Sequence, residues 1–135
     1  MKSGEDLLPN LEKRHYPRVN ANIDAEVACA DGFKIKGIVL DTSSTGLRLQ
    51  CNAIERELLT PRGEWTRDGR PIEVKVTMVM PRANNETSTI EVCCAVAFSR
   101  RVALDRYHVG MRFKNLDQEG FLILAEFIDR RLSQS

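Results

Sequence analysis

Residues 23–39, IDAEVACADGFKIKGIV, decide the fold. Ile23, Ala25, Val27 and Cys29 share one face of an extended chain while Asp24 and Glu26 take the other, the period of two that marks a strand buried on one side. Asp31-Gly32 supplies the tight turn, because glycine accepts the left-handed backbone that such hairpins require. Phe33, Ile35, Gly37 and Val39 then resume the alternation, with Lys34 and Lys36 outward. The same pattern recurs down the chain. Leu47, Leu49 and Cys51 form the inner face of a third strand, with Arg48 and Gln50 outside. Ile72, Val74, Val76, Met78 and Met80 form a fourth. Ile90, Val92, Cys94, Val96 and Phe98 form a fifth, and Tyr107, Val109, Met111 and Phe113 a sixth. Six short strands with turns between them and no regular helical insertions predict a mainly β protein, an antiparallel barrel or sandwich.

Two segments depart from this period. Residues 52–71, broken by Pro61, Gly63, Gly69 and Pro71, read as a long connection with a short helical turn around 54–59. After Asp117, a good N-cap, Phe121, Leu124, Ala125, Ile128 and Leu132 recur at helical spacing and predict a C-terminal α-helix packed on the barrel or over its open end. Ile123 and Phe127 then lie near its opposite side, more apolar surface than one buried face requires. A homodimer contact and a second intramolecular packing surface both account for that excess.

The chain has 135 residues, 42% of them apolar, enough for one core and not for two. Charged residues make up 29% and nearly cancel to a net +1, so there is no global field to hold a long polyanion, and no nucleic acid is expected as partner. Any anion site must be local. Cys29, Cys51, Cys93 and Cys94 contain no CxxC pair and no histidine at zinc spacing, so they read as reduced, partly buried thiols with no metal site. No secretion signal or bilayer-spanning run is apparent, which predicts a cytoplasmic protein without membrane insertion. No nucleophile with a base, carboxylate pair or metal cluster has supporting context, so no enzyme is expected.

Two motifs remain. Arg14-His15-Tyr16-Pro17-Arg18, an RxxxR, precedes the first strand, and Pro17 disfavours helix there. A guanidinium can clamp a phosphate, and its fork also matches the O6 and N7 acceptors of guanine. Residues 41–46, DTSSTG, form a DxSxxG between the second and third strands. An aspartate can accept from the N1 and N2 donors of guanine, a serine hydroxyl donates and accepts, and glycine permits a bend that a Cβ resists. Each motif alone also has an ordinary reading, as solvated surface arginines and as a turn favoured for local reasons.

Together, in this order and with one hairpin between them, the motifs resemble the signature of the PilZ domain family. Gly110-Met111-Arg112-Phe113 is similar to that family's GxxF, and the C-terminal helix follows. The resemblance implies a six-stranded antiparallel β-barrel with a C-terminal helix over residues 13–135, after a polar tail at 1–12. It implies a bacterial receptor for cyclic di-GMP that changes conformation on binding, uses no other cofactor and relays the signal to a partner protein not identifiable from the sequence. The alternative is a constitutive interaction module that binds no nucleotide. Arg14 and Arg18 would take the arginine roles and Asp41, Ser43 and Gly46 those of the second motif. Lys13, at the position that in the family influences whether one ligand or a stacked pair binds, favours the stacked dimer. Phe98, or Arg100 and Arg101 beside it, would stack on a guanine, although the alternation itself places Phe98 in the core.

Overall fold

The computed structural model describes residues 17–134. Six strands, β1 (Val19–Ala28), β2 (Lys34–Thr42), β3 (Gly46–Cys51), β6 (Glu73–Pro81), β7 (Thr87–Ala103) and β8 (Arg106–Asn115), close into an antiparallel barrel in the order β1-β2-β3-β8-β7-β6. Closure follows from β1 pairing on both sides, with Val27 opposite Ile35 of β2 and opposite Val76 of β6. Among the described residues no barrel edge is left unpaired to template association with another chain.

The predicted inner faces fill the barrel. Val27, Val39, Leu47, Leu49, Val76, Met78, Met80, Val92, Val96 and Val109 are among its buried residues. Phe33 is the exception in the first hairpin. It lies in the turn outside β2, where Gly32 has φ of +94° and the Cys29 amide donates to the Phe33 carbonyl, and its ring is exposed. A strand residue can turn inward only where it belongs to the ladder, and the ladder begins at Lys34.

The connection after β3 is more ordered than its composition predicts. Helix α1 (Ala53–Leu59) carries a capping box in which Asn52 and Glu55 satisfy each other's backbone amides at 2.8 Å. Asp105, at the tip of the β7–β8 turn, accepts from the Ala53 amide at 2.9 Å, and the Arg56 guanidinium stacks on Tyr107. Leu59 is thereby buried against the barrel. A two-residue ladder, β4 (Thr66–Arg67) with β5 (Arg70–Pro71), completes the connection.

Helix α2 (Gln118–Gln134) starts as predicted, with Asp117 Oδ1 accepting from the Gly120 amide at 2.7 Å. Its buried stripe keeps Leu124 and Ile128 and is otherwise shifted. Gly120, Ile123, Leu124, Phe127 and Ile128 face the barrel, whereas Phe121, Leu122 and Leu132 are exposed. The helix packs on β1, β6 and β7 and is oriented by polar ties: Arg82 Nε donates to Glu126 at 2.7 Å, and Arg130 donates to the Pro81 carbonyl at 2.6 Å. Two overlapping apolar stripes are written into this helix, and these contacts select the one centred on Phe127.

Candidate functional site

The second arginine of RxxxR and the aspartate of DxSxxG meet in space. Asp41 sits near the end of β2, beside a bulge that separates the pairs Val39–Leu49 and Asp41–Arg48. Its carboxylate is almost wholly buried and is held from two sides: Arg18 Nη1 donates to Oδ1 at 2.6 Å, and Arg48 Nη2 lies 2.5 Å from Oδ2. A buried carboxylate needs such partners, because desolvation without them costs several kcal/mol. The alternation makes Arg48 only an outward residue of the third strand. Nothing in its local sequence tells a solvated arginine from one turned back onto a buried aspartate.

The tight turn is smaller than the motif, since Asp41 and Thr42 belong to β2 and Gly46 to β3. The Thr42 hydroxyl donates to the Gly46 carbonyl at 2.9 Å, the Ser43 amide donates to the same carbonyl, and the Ser43 hydroxyl accepts from the Thr45 amide at 3.2 Å. Thr42 and Ser43 are buried. Ser43 therefore spends its hydroxyl on shaping the turn and does not line the cleft next to it.

That cleft, of about 330 Å³, is lined by Arg18, Asp41, Thr45, Gly46, Leu47, Arg48, Ala97, Phe98, Gly110, Met111 and Arg112. Three arginines and one aspartate line it together with Leu47, Ala97, Phe98 and Met111. Phe98 is a correction to the alternation: it is 39% exposed, not core. Register shifts between Val96 and Phe98, so that Val96 opposes Met111 and Phe98 opposes Gly110, and the inserted residue turns the ring outward. The ring lies on the bare face of Gly110, where a Cβ would collide with it. Gly46 is likewise required by close approach: its φ is not in the left-handed region, but a Cβ would collide with the Met111 carbonyl of β8. The expected bend is not the reason for this glycine.

Arg100 is exposed on β7 opposite His108, beyond the lining of the cleft. Lys13 and Arg14 fall outside the described residues. His108, paired across the ladders with Gln50 and Arg100, is half-buried, and burial together with the Arg48 and Arg100 charges pulls its pKa below the ordinary 6.5. The unfolded chain then takes up a proton near pH 6.5 that the folded chain refuses until lower pH. Stability from this group is present above pH 6.5 and is lost as pH falls below it. The His108 ring resonance should titrate below 6.5 in NMR, and His108→Gln should flatten the fall in melting temperature from pH 7 to 5.5; an unchanged slope would contradict the assignment.

The most buried thiols are poor nucleophiles. Burial, reinforced by Glu55, pushes the Cys51 thiol up to about 12, and burial does the same for Cys94. Among the described residues no helix is long and apolar enough to cross a membrane.

Comparison with known proteins finds the same fold. The barrel is similar to the structure of Bacillus subtilis inhibitor of motility, MotI/DgrA, at 15% identity and a TM-score of 0.64, over 91% of this chain and 53% of that one. It is similar to the PilZ domain of Escherichia coli YcgR with c-di-GMP, at 13% identity and a TM-score of 0.56, over 90% of this chain and 93% of that one. It is also similar to Borreliella burgdorferi PlzA in complex with c-di-GMP, at 9% identity and a TM-score of 0.58, over 98% of this chain and 58% of that one. The chain thus spans about half the length of MotI/DgrA. No curated protein sequence matches it. The model of the PilZ domain matches residues 12–130, a span that contains both motifs, the whole barrel and most of α2, and the chain belongs to the PilZ domain family.

Proposed function

We propose that the chain is a receptor for cyclic di-GMP that performs no chemistry on the ligand and passes the signal to a partner protein. The observation that carries this reading is the convergence of Arg18, Asp41 and Gly46, from two motifs, in one cleft beside the exposed ring of Phe98. Guanidiniums suit both the phosphates and the guanine edge, and an exposed aromatic face suits base stacking. Two relatives of the same fold, PlzA and the YcgR domain, are described with c-di-GMP. In this reading Lys13 and Arg14 join the ligand from the segment before β1, so that binding ties that segment to the barrel and alters the surface offered to a partner. Lys13 supplies a further cation for a stacked dimer of the ligand with its four phosphate charges.

Isothermal titration calorimetry of cyclic di-GMP into the purified protein, with GTP as control, tests the reading. Saturable binding selective for the cyclic dinucleotide is expected, at two ligands per chain for the stacked form and one for the single form. Arg14→Ala and Arg18→Ala should each weaken it by about 1–3 kcal/mol, the scale of one bidentate arginine–guanine contact. A folded protein that binds no cyclic di-GMP would leave the constitutive interaction module as the account of the same barrel.

A further inference from the structure

Two arginines of the cleft lie outside RxxxR and DxSxxG. Arg48 projects from β3 and Arg112 from β8, and their strands are neighbours, with Arg48 paired to Gly110 and Arg112 to Gly46. Both line the same cleft as Arg18 and Phe98. Arg112 is exposed and has no ion-pair partner among the described residues. Arg48 is fixed at one end on Asp41, and its buried Nε has no hydrogen-bond partner among the described residues. Asp41, for its part, has only 7% of its side chain exposed, and each of its oxygens already meets a guanidinium. Little of the carboxylate is free to read a base edge.

We propose that Arg48 and Arg112 form a clamp for the phosphodiester groups of the bound cyclic dinucleotide, and that Asp41 is the positioning residue that holds Arg48 and Arg18 in place for it. The inference rests on the receptor reading above and deepens it. One carboxylate cannot neutralise three guanidiniums, so the cleft keeps an excess of positive charge that an anionic ligand can balance. Holding two of the guanidiniums on a buried anchor reduces the rotamer freedom lost when the ligand arrives. Asp41 then acts on the ligand through the arginines, and guanine selectivity comes from other groups.

Titration of cyclic di-GMP into the parent chain, Arg48→Ala, Arg48→Lys, Arg112→Ala and Asp41→Asn, each at low and high salt, separates these roles. Arg48→Ala and Arg112→Ala are expected to weaken binding about ten- to a hundred-fold, the range for one charge-assisted hydrogen bond. They should also flatten the dependence on salt, because one charge contact fewer is left to be screened. Arg48→Lys should restore the salt dependence and part of the affinity. Asp41→Asn should weaken binding without flattening the salt dependence, because it removes a negative charge and no cation, and should cost less in the Arg48→Ala background than in the parent. Parental affinity in Arg112→Ala and Arg48→Ala, or weaker binding with an unchanged salt dependence, overturns the clamp. Additivity of Asp41→Asn with Arg48→Ala overturns the positioning role. A parent that binds no cyclic di-GMP sinks the receptor reading itself, and the clamp with it. Arg112 is exposed, so its variant reports on the clamp even where Arg48→Ala perturbs folding.

Discussion

Phe127→Ala is expected to destabilise the fold by roughly 3–5 kcal/mol, the cost of deleting a buried aromatic ring and leaving a cavity behind. Phe127 is one of the largest fully buried side chains, packed with Ile123, Leu124 and Ile128 between α2 and the barrel. Its removal also takes away the ring on which the Arg131 guanidinium stacks, at 4.9 Å from the centroid. Phe121→Ala, on the same helix and of the same chemistry, should change stability by no more than about 0.5 kcal/mol, as for an exposed position. Chemical denaturation of the two variants against the parent measures both numbers. Equal losses, or a larger loss from Phe121, would mean that α2 docks on its other apolar stripe.

Gly46→Ala is expected to cost roughly 1–3 kcal/mol of stability, the range for forcing extra volume into a packed site. The obstacle is the Met111 carbonyl, and backbone cannot swing aside as a side chain can, so the β3–β8 pairing must loosen where it forms one wall of the cleft. The two possible reasons for this glycine make opposite predictions for asparagine. A left-handed bend would tolerate asparagine better than alanine. Close approach of two strands makes the larger asparagine worse. Denaturation midpoints of Gly46→Ala and Gly46→Asn decide the matter, and rescue by asparagine would refute close approach. Because Gly46 borders Arg112 across the ladder, the alanine variant should also weaken cyclic di-GMP binding wherever it remains folded.

How far the sequence reaches is clearest residue by residue. A period of two is a local property, so the alternation of Ile23, Ala25 and Val27, and of Val74, Val76 and Met78, identified strands whose inward faces are indeed buried. The cap at Asp117 was equally legible, because a capping bond spans only three residues. The alternation places Phe98 in the core, against the resemblance that offers its ring to the ligand, and it fails for the complementary reason. One inserted residue reverses the sides of all that follow until register is restored, and the bulge between Val96 and Phe98 exists only in relation to β8. The face of α2 failed likewise, since a helix with apolar residues at 120–128 offers two stripes and only the barrel surface chooses one.

At the site, the motifs named Arg18, Asp41 and Gly46 and the order in which they occur. Residue identity and spacing along the chain were enough for that and for six antiparallel strands in a barrel or a sandwich, and the resemblance to the family chose the barrel. Tertiary structure alone decided that Asp41 binds two guanidiniums and that Ser43 turns inward. It also decided that Gly46 is demanded by a carbonyl of β8, that Phe98 points out of the core, and that Arg48 and Arg112 complete the cleft. The reason is physical: each of those facts is a contact between strands far apart in sequence, and a side chain's partner across a closed barrel is set by register and closure, neither of which is a property of its neighbours along the chain.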